Sequence, residues 1–489
     1  MHLDKKTIKS QLNSELAKDK IDINLHQLQD IVNFCFHNVI FDFTSQIDDI
    51  LIKIANQNII NLEKDFIPNT FLHVFSQVYL DGGHTRVGER WIKYSPNSEK
   101  HSVVITKQDF MPIPKLLIQV VEEKNGDFIV FDQKPAIELA LQLREMASKY
   151  EFIILHIHMN DLIPVLAFGA RNFNRKILFF NHADHEFWIG AKIATLIINF
   201  RSIAIKINEK YRNAYNNALL PLIIDEPNLS AKEKHIVDLK KSLKIDNYDK
   251  FIITLASEYK YQKFDNYNWL ATAKNILNQN QNCVILAIGP SMKNIEWSNA
   301  YQETNQRIIP LGIIPNNEVE KYLQIADLAI DSYPFSSFTA LLDLAKYNIE
   351  CLSLKTPIND LDSLFDAKIY CKDQEELVEK ATKILQNTKK DDNYKTKLYD
   401  IIRNKHFPNA FRKNITSIYK MVQENDICKK QYFSLYSFKI KSANIKYFVD
   451  FNCKMKGIKR DYVYQKSFIS KFKKSCIKRM QEIKSLINK

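Results

Sequence analysis

Residues 326–354 read ADLAIDSYPFSSFTALLDLAKYNIECLSL, and the way this stretch divides decides the fold. A short apolar strand, Leu328 to Ile330, ends on Asp331. Ser332 to Phe338 then form a turn in which Pro334 sets one φ and withdraws one N–H donor. A helix follows from Thr339 to Tyr347, and Asn348 stands where a left-handed residue closes a helix. A second buried strand, Glu350 to Leu354, completes the unit. Strand, turn, helix and strand in this order build a parallel sheet. Thr339 and Asp343 are four residues apart, so both lie on one helix face near its positive N-terminal end. Such an end holds phosphate, and a carboxylate one turn along accepts from ribose hydroxyls. Taken alone, the stretch is equally an ordinary capped helix in an α/β sheet.

Composition bounds the rest. With 489 residues and 45% apolar content the chain can build two or three full cores. No apolar run approaches the roughly 20 residues of a spanning helix. The opening MHLDKKTIKSQLNSE lacks the apolar segment of a signal peptide. Seven cysteines without a C-x-x-C pair point to reduced thiols in a cytoplasm. The net charge of +13 is concentrated: residues 429–489 hold 17 Lys/Arg against three acids, which leaves the remaining body close to neutral.

In chain order, residues 1–69 show three- and four-residue apolar spacing and read as a helical region with no chemistry. Residues 70–227 form a first α/β domain. Its opening strand around His73 runs into Asp81-Gly82-Gly83-His84, where adjacent glycines before a helix let backbone approach an anionic ligand. His84, at the tip, is placed to act as general base or acceptor ligand. Seven of the twelve histidines lie between His73 and His185, several just after strands, where ligands bind in open α/β sheets. His156, His158, Asp161, His182, Asp184 and His185 are expected to line the acceptor and sugar side of a cleft, with His182 and Asp184 joining His84 as catalytic candidates. Zinc or manganese ligation by the His156, His158, His182, Asp184 and His185 group is one alternative. Helix capping at strand ends is the other. Residues 228–426 form a second α/β domain opening at Lys250 to Leu255, and residues 427–489 a basic aromatic tail.

DSYPFSSFTALLDLAKYNIECLSL resembles the nucleotide-sugar segment of GT-B glycosyltransferases, and is most similar to the type in O-linked N-acetylglucosamine transferases and related bacterial (group 1) glycosyltransferases. There an Asp-x-x-Pro-(Phe/Tyr) strand end leads through a Gly/Thr turn to a helix whose Asp holds the ribose. The resemblance spans about residues 70–426. It implies two doubly wound Rossmann-like domains facing a cleft, acceptor on the first and donor on the second. It also implies transfer from a nucleotide diphosphate sugar to a glycan, lipid-linked or protein acceptor, with no metal or cofactor. By the same resemblance Thr339, with Ser337 before it, contacts the diphosphate and Asp343 the ribose. Gly83 belongs to the Gly-Gly loop of the first domain, and Lys263, or failing it Lys260, meets the diphosphate. The turn departs from the pattern, with Ser336, Ser337 and Phe338 where the family has glycines and a Thr pair.

The tail interleaves basic residues with Phe433, Tyr436, Phe438, Tyr447, Phe448, Phe451, Phe468 and Phe472, a composition suited to an anionic membrane surface at the inner face of the membrane. Nucleic acid is not expected, because the near-neutral body offers no basic companion surface. The rival from another class is a GT-B-like binding or chaperone subunit without catalysis.

Overall fold

The computed structural model describes residues 4–59, 65–80, 83–227, 233–358, 364, 368–386, 392–424 and 442–456. Runs such as Phe152-Ile-Ile-Leu and Cys283-Val-Ile-Leu-Ala-Ile are apolar at every position, so they bury both faces and suit strands covered by helices on each side. Two parallel sheets result. The first comprises β1 (Ile67–Phe75), β2 (Lys100–Ile105), β3 (Phe128–Val130), β4 (Tyr150–His156), β5 (Lys176–Phe180), β6 (Leu196–Asn199) and β7 (Asn217–Leu219), in the order β3-β2-β1-β4-β5-β6-β7. The second comprises β8 (Lys250–Leu255), β9 (Cys283–Ile288), β10 (Ile308–Gly312), β11 (Leu328–Ile330), β12 (Glu350–Leu354) and β13 (Tyr370–Cys371), in the order β10-β9-β8-β11-β12-β13. Each order reverses once, between β1 and β4 and between β8 and β11, and crevices for ligands open beyond the strand ends at such points.

The N-terminal helices Lys5–Leu16, Leu25–His37 and Thr44–Asn58 are not a separate body. Their Ile8, Leu28, Ile31, Ile47 and Leu51 share one core with Leu162, Val165 and Leu166 of the helix Leu162–Gly169. The buried Asp48 carboxylate accepts from the backbone N–H groups of Gly190 (2.8 Å) and Lys192 (3.1 Å), tying this layer to the loop after β5.

Apolar spacing over residues 393–424 predicts one helix, and the structure has two, Asp392–His406 and Pro408–Gln423. Pro408 cannot continue a helix but is well placed to begin one. The second of these helices returns to the first domain. Tyr419 Oη accepts from Trp91 Nε1 at 2.8 Å, and its ring lies 4.7 Å from that of Phe71.

Of the basic tail, only the helix Ser442–Met455 and Lys456 fall among the described residues, so most of the expected membrane segment lies outside them. This helix is a strap across both domains. Phe451 packs edge-on against Phe264 and Tyr267 of the second domain, and Lys454 pairs with Asp265 at 2.7 Å. Toward the first domain, Asn452 donates to the His185 carbonyl and Lys456 pairs with Glu186. Phe448 and Phe451, counted from the sequence as membrane-facing rings, are buried here.

Candidate active site

Glycine is scarce in this chain, and the turn after β11 is shaped by side chains instead. The buried Asp331 carboxylate accepts from Ser332 N (2.8 Å), Ser337 N (3.0 Å), Ser337 Oγ (2.7 Å) and Ser353 Oγ (3.0 Å). Ser332 Oγ donates to Phe335 O, and Ser336 Oγ accepts from Phe338 N. The serines that replace the glycines of the resembling family thus close the loop by hydrogen bonding. One residue still adopts a glycine-like backbone: Phe338 has φ +49° and ψ −94° immediately before the helix Thr339–Ala345. Its ring stands between two cations, with the Arg201 guanidinium 4.8 Å and Lys260 Nζ 5.8 Å from its centroid.

Lys260 comes from the loop after β8. Gly289, with φ +109°, lets that loop lie against the end of β9, since a Cβ there would stand 2.0 Å from the Ala256 carbonyl oxygen. Lys260 Nζ donates to Ser336 O at 3.0 Å, and burial brings its ammonium down to about 8. Lys263, the first choice from the sequence, is exposed, and it is Lys260 that reaches the turn. Ser337 spends its hydroxyl on Asp331, and Thr339 is half-buried at the first position of its helix.

On the first domain, Gly82 lies outside the described residues, while Gly83 opens the helix Gly83–Tyr94 with free space where a Cβ would stand. His84 Nε2 lies 3.1 Å from the Gln77 carbonyl oxygen. A carbonyl only accepts, so His84 carries its proton on Nε2 and presents the Nδ1 lone pair. Burial lowers its pKa to about 4, keeping the ring neutral. Its ring stacks on that of half-buried His182 at 5.1 Å and meets His158 edge-on at 6.0 Å. His158 Nε2 in turn contacts Tyr79 Oη at 3.3 Å.

Three expected cleft residues have other places. Asp161 is buried and fully engaged: Oδ1 caps the helix Leu162–Gly169 at Ile163 N and pairs with Lys107 at 2.8 Å, while Oδ2 accepts from Ser76 Oγ. Asp184, expected to be catalytic, is fully buried and held by Arg201 through both oxygens, with Nε to Oδ2 at 2.7 Å. Despite burial, that guanidinium keeps its carboxyl well below the usual range, so it cannot serve as a base near neutrality. His156 lies in the sheet core, hydrogen-bonded to His73. His185 is half-buried where the domains meet, facing Asp184, Glu186 and the Phe335 ring. No group of three or more His, Cys, Asp or Glu suited to a metal ion occurs among the described residues.

Asp343 also differs from expectation. Its carboxylate accepts from Arg90 Nη2 of the first domain at 3.2 and 3.3 Å and pairs with Lys346 at 3.1 Å. Arg90, nearly fully buried, also binds Asp225 through Nε at 2.8 Å and the Ile223 carbonyl. Neither this three-residue bridge nor the Arg201–Asp184 pair was visible in the sequence, because their members are 17 to 253 positions apart.

The overall arrangement is similar to solved structures at low sequence identity. A glycosyltransferase from Rickettsia africae matches with a TM-score of 0.58 at 10% identity, over 73% of this chain and 100% of that one. HepE of Anabaena, solved in complex with UDP and glucose, matches with a TM-score of 0.56 at 12% identity, over 72% of this chain and 99% of that one. The Thermobaculum terrenum O-GlcNAc transferase matches with a TM-score of 0.53 at 11% identity, over 86% and 82%. The chain has the GT-B fold. No protein-family model matches the sequence, and no curated relative does. The first domain thus gathers His84, His158 and His182, and the second gathers Lys260, Ser336 and Phe338, with Arg201 of the first domain in contact with the Phe338 ring.

Proposed function

We propose that this chain is a glycosyltransferase that moves a sugar from a nucleotide diphosphate sugar to a hydroxyl or amide of a glycan, lipid-linked or protein acceptor, in the synthesis of surface polysaccharide or glycoconjugate. The observation that carries the proposal is that half-buried Lys260 reaches the turn after β11, and neutral His84, its Nε2 held by the Gln77 carbonyl, is the base proposed to act with it. His84 takes the proton of the acceptor as its oxygen bonds to the sugar carbon. The bond from that carbon to the diphosphate breaks, and Lys260, without a metal ion, offsets the charge gathering on the leaving group. That HepE, of similar fold, has been solved with UDP and with UDP-glucose supports a uridine diphosphate sugar as the first donor to try. The proposal includes attachment of the basic tail to an anionic membrane surface through residues beyond Lys456, since Phe448, Phe451, Lys454 and Lys456 are engaged by the two domains.

The test is a thermal-shift screen against uridine, guanosine, cytidine and thymidine diphosphates, followed by an assay for release of nucleotide from the matching sugar donor. Stabilisation by one diphosphate and turnover of its sugar are expected. The second reading, a binding subunit without catalysis, draws on Asp343, whose carboxylate is occupied by Arg90 and Lys346. Binding with no donor cleavage in the presence of acceptor extracts would select it.

A further inference from the structure

The first sheet carries a line of polar groups that the proposed reaction does not use. Along a strand, side chains alternate faces, so Phe71, His73 and Phe75 of β1 share one face with His101 of β2 and His156 of β4. In register, Phe71 pairs with His101 and Phe75 with His156, which makes His73 the diagonal neighbour of both histidines. The three rings are fully buried and linked: His156 Nε2 to His73 Nδ1 at 3.0 Å, His73 Nε2 to His101 Nδ1 at 2.9 Å, and His101 Nε2 to Glu99 Oε2 at 2.9 Å. The line begins at Glu99, whose side chain is 10% exposed, and ends at His156 Nδ1, a buried nitrogen with no hydrogen-bond partner. His156 lies at the crevice end of β4, its ring stacked on that of Phe75 at 4.6 Å, and the Phe75 ring lies 6.3 Å from that of His84.

We propose that Glu99, His101, His73 and His156 form a proton relay that accepts a proton at His156 Nδ1 and delivers one to Glu99. An ionised Glu99 only accepts, so His101 must hold its proton on Nε2; its bare Nδ1 then requires Nε2–H on His73, and the same logic requires Nε2–H on His156. All three rings therefore point their N–H bonds toward Glu99. When a proton bonds to His156 Nδ1, its Nε2 proton passes to His73 Nδ1. The His73 Nε2 proton passes to His101 Nδ1, and the His101 Nε2 proton bonds to Glu99 Oε2. Each ring starts and ends neutral with one proton, and the only charges that change are on the group that gave the proton and on Glu99. Neutral rings are what this location demands, because burial holds His73 and His156 far from protonation. That the incoming proton originates from a sugar acceptor rests on the glycosyltransferase reading; the relay does not.

Glu99 faces His101, Lys124, Glu151 and Tyr419, and burial pushes its carboxyl up to about 7. The experiment is long-range 1H–15N correlation of the full chain labelled with 15N-histidine, from pH 5 to 9, with Glu99→Gln alongside. Above the Glu99 titration all three rings should report Nε2–H. As pH falls through about 7 they should shift toward Nδ1–H together, with one midpoint, and Glu99→Gln should abolish that midpoint. Tautomers that stay fixed, shift at separate midpoints, or behave alike in Glu99→Gln overturn the relay. His73→Gln should uncouple His156 from the pH response while His101 keeps it; if that variant does not fold, the wild-type and Glu99→Gln spectra decide alone. Donor turnover measured on the same samples separates the two ideas, since tautomer coupling without turnover retains the relay and removes the glycosyltransferase reading.

Discussion

The chemistry proposed for His84 depends on one carbonyl. The Gln77 oxygen fixes the proton on Nε2, and burial keeps the ring neutral down to about pH 4. His84→Ala is therefore expected to lower turnover by roughly 10²–10⁴-fold with donor affinity retained, which steady-state kinetics and calorimetry check. Lys260 works at the other limit, losing its charge as pH rises through about 8. Donor turnover should thus follow a bell with limbs near pH 4 and pH 8, and Lys260→Met should remove the alkaline limb together with donor affinity. Stability is expected to lean the same way on the acid side. His101 and His406 are lowered by burial to about 3 and about 4, so between those values and 6.5 the unfolded chain binds more protons than the folded one. Stability then falls as pH drops below 6.5, and urea midpoints at pH 7 and pH 5 should show it. At this scale the sequence drew attention to His84, because Gly82 and Gly83 lead into a helix. It could not reveal that Asp161 and Asp184 are consumed, since their partners Ser76, Thr106 and Arg201 stand 85, 55 and 17 positions away.

The unit from β11 to β12 shows how local chemistry replaces a missing residue type. Asp331 gathers the loop by its side chain, and Phe338 accepts a backbone conformation that costs about 1–3 kcal/mol for a side-chain-bearing residue. Phe338→Gly should therefore be more stable than Phe338→Ala by about 1 kcal/mol or more in denaturant titrations, the reverse of the usual order beside a helix, because both lose the ring and only glycine loses the strain. Equal stabilities would show that the loop relaxes. Elements of this kind were legible beforehand. The strands Lys250–Leu255, Leu328–Ile330 and Glu350–Leu354 occur at the bounds their apolar runs predict. β6 and β7 were not, because four and three residues are too few to show a period. The break at Phe407–Pro408 is marked only by the proline, because helical apolar spacing continues on either side of it.

Across the whole molecule, the two domains are joined by charge at Arg90 and by apolar packing at the strap helix. Arg90→Ala leaves Asp225 and Asp343 facing each other's domain without their shared cation. The loss should approach the low end of the about 3–5 kcal/mol typical of a broken buried pair, since both carboxylates retain some water contact, and thermal unfolding measures it. The strap also sharpens the membrane test. A chain ending at Lys456 keeps the strap and loses ten Lys/Arg between 457 and 489, each able to contribute about 1 kcal/mol at an anionic surface. The full chain should co-sediment with anionic vesicles and the shortened one should not; equal sedimentation removes the membrane from the proposal. The strap has a consequence in time as well as in space. Ser442–Met455 follows both sheets in the chain, so a ribosome finishes each lobe before the clasp between them emerges. A premature stop after 441 would release two lobes still joined at Arg90 and Asp343, without the clasp that packs on His185 and Glu186 of one and Phe264 and Tyr267 of the other.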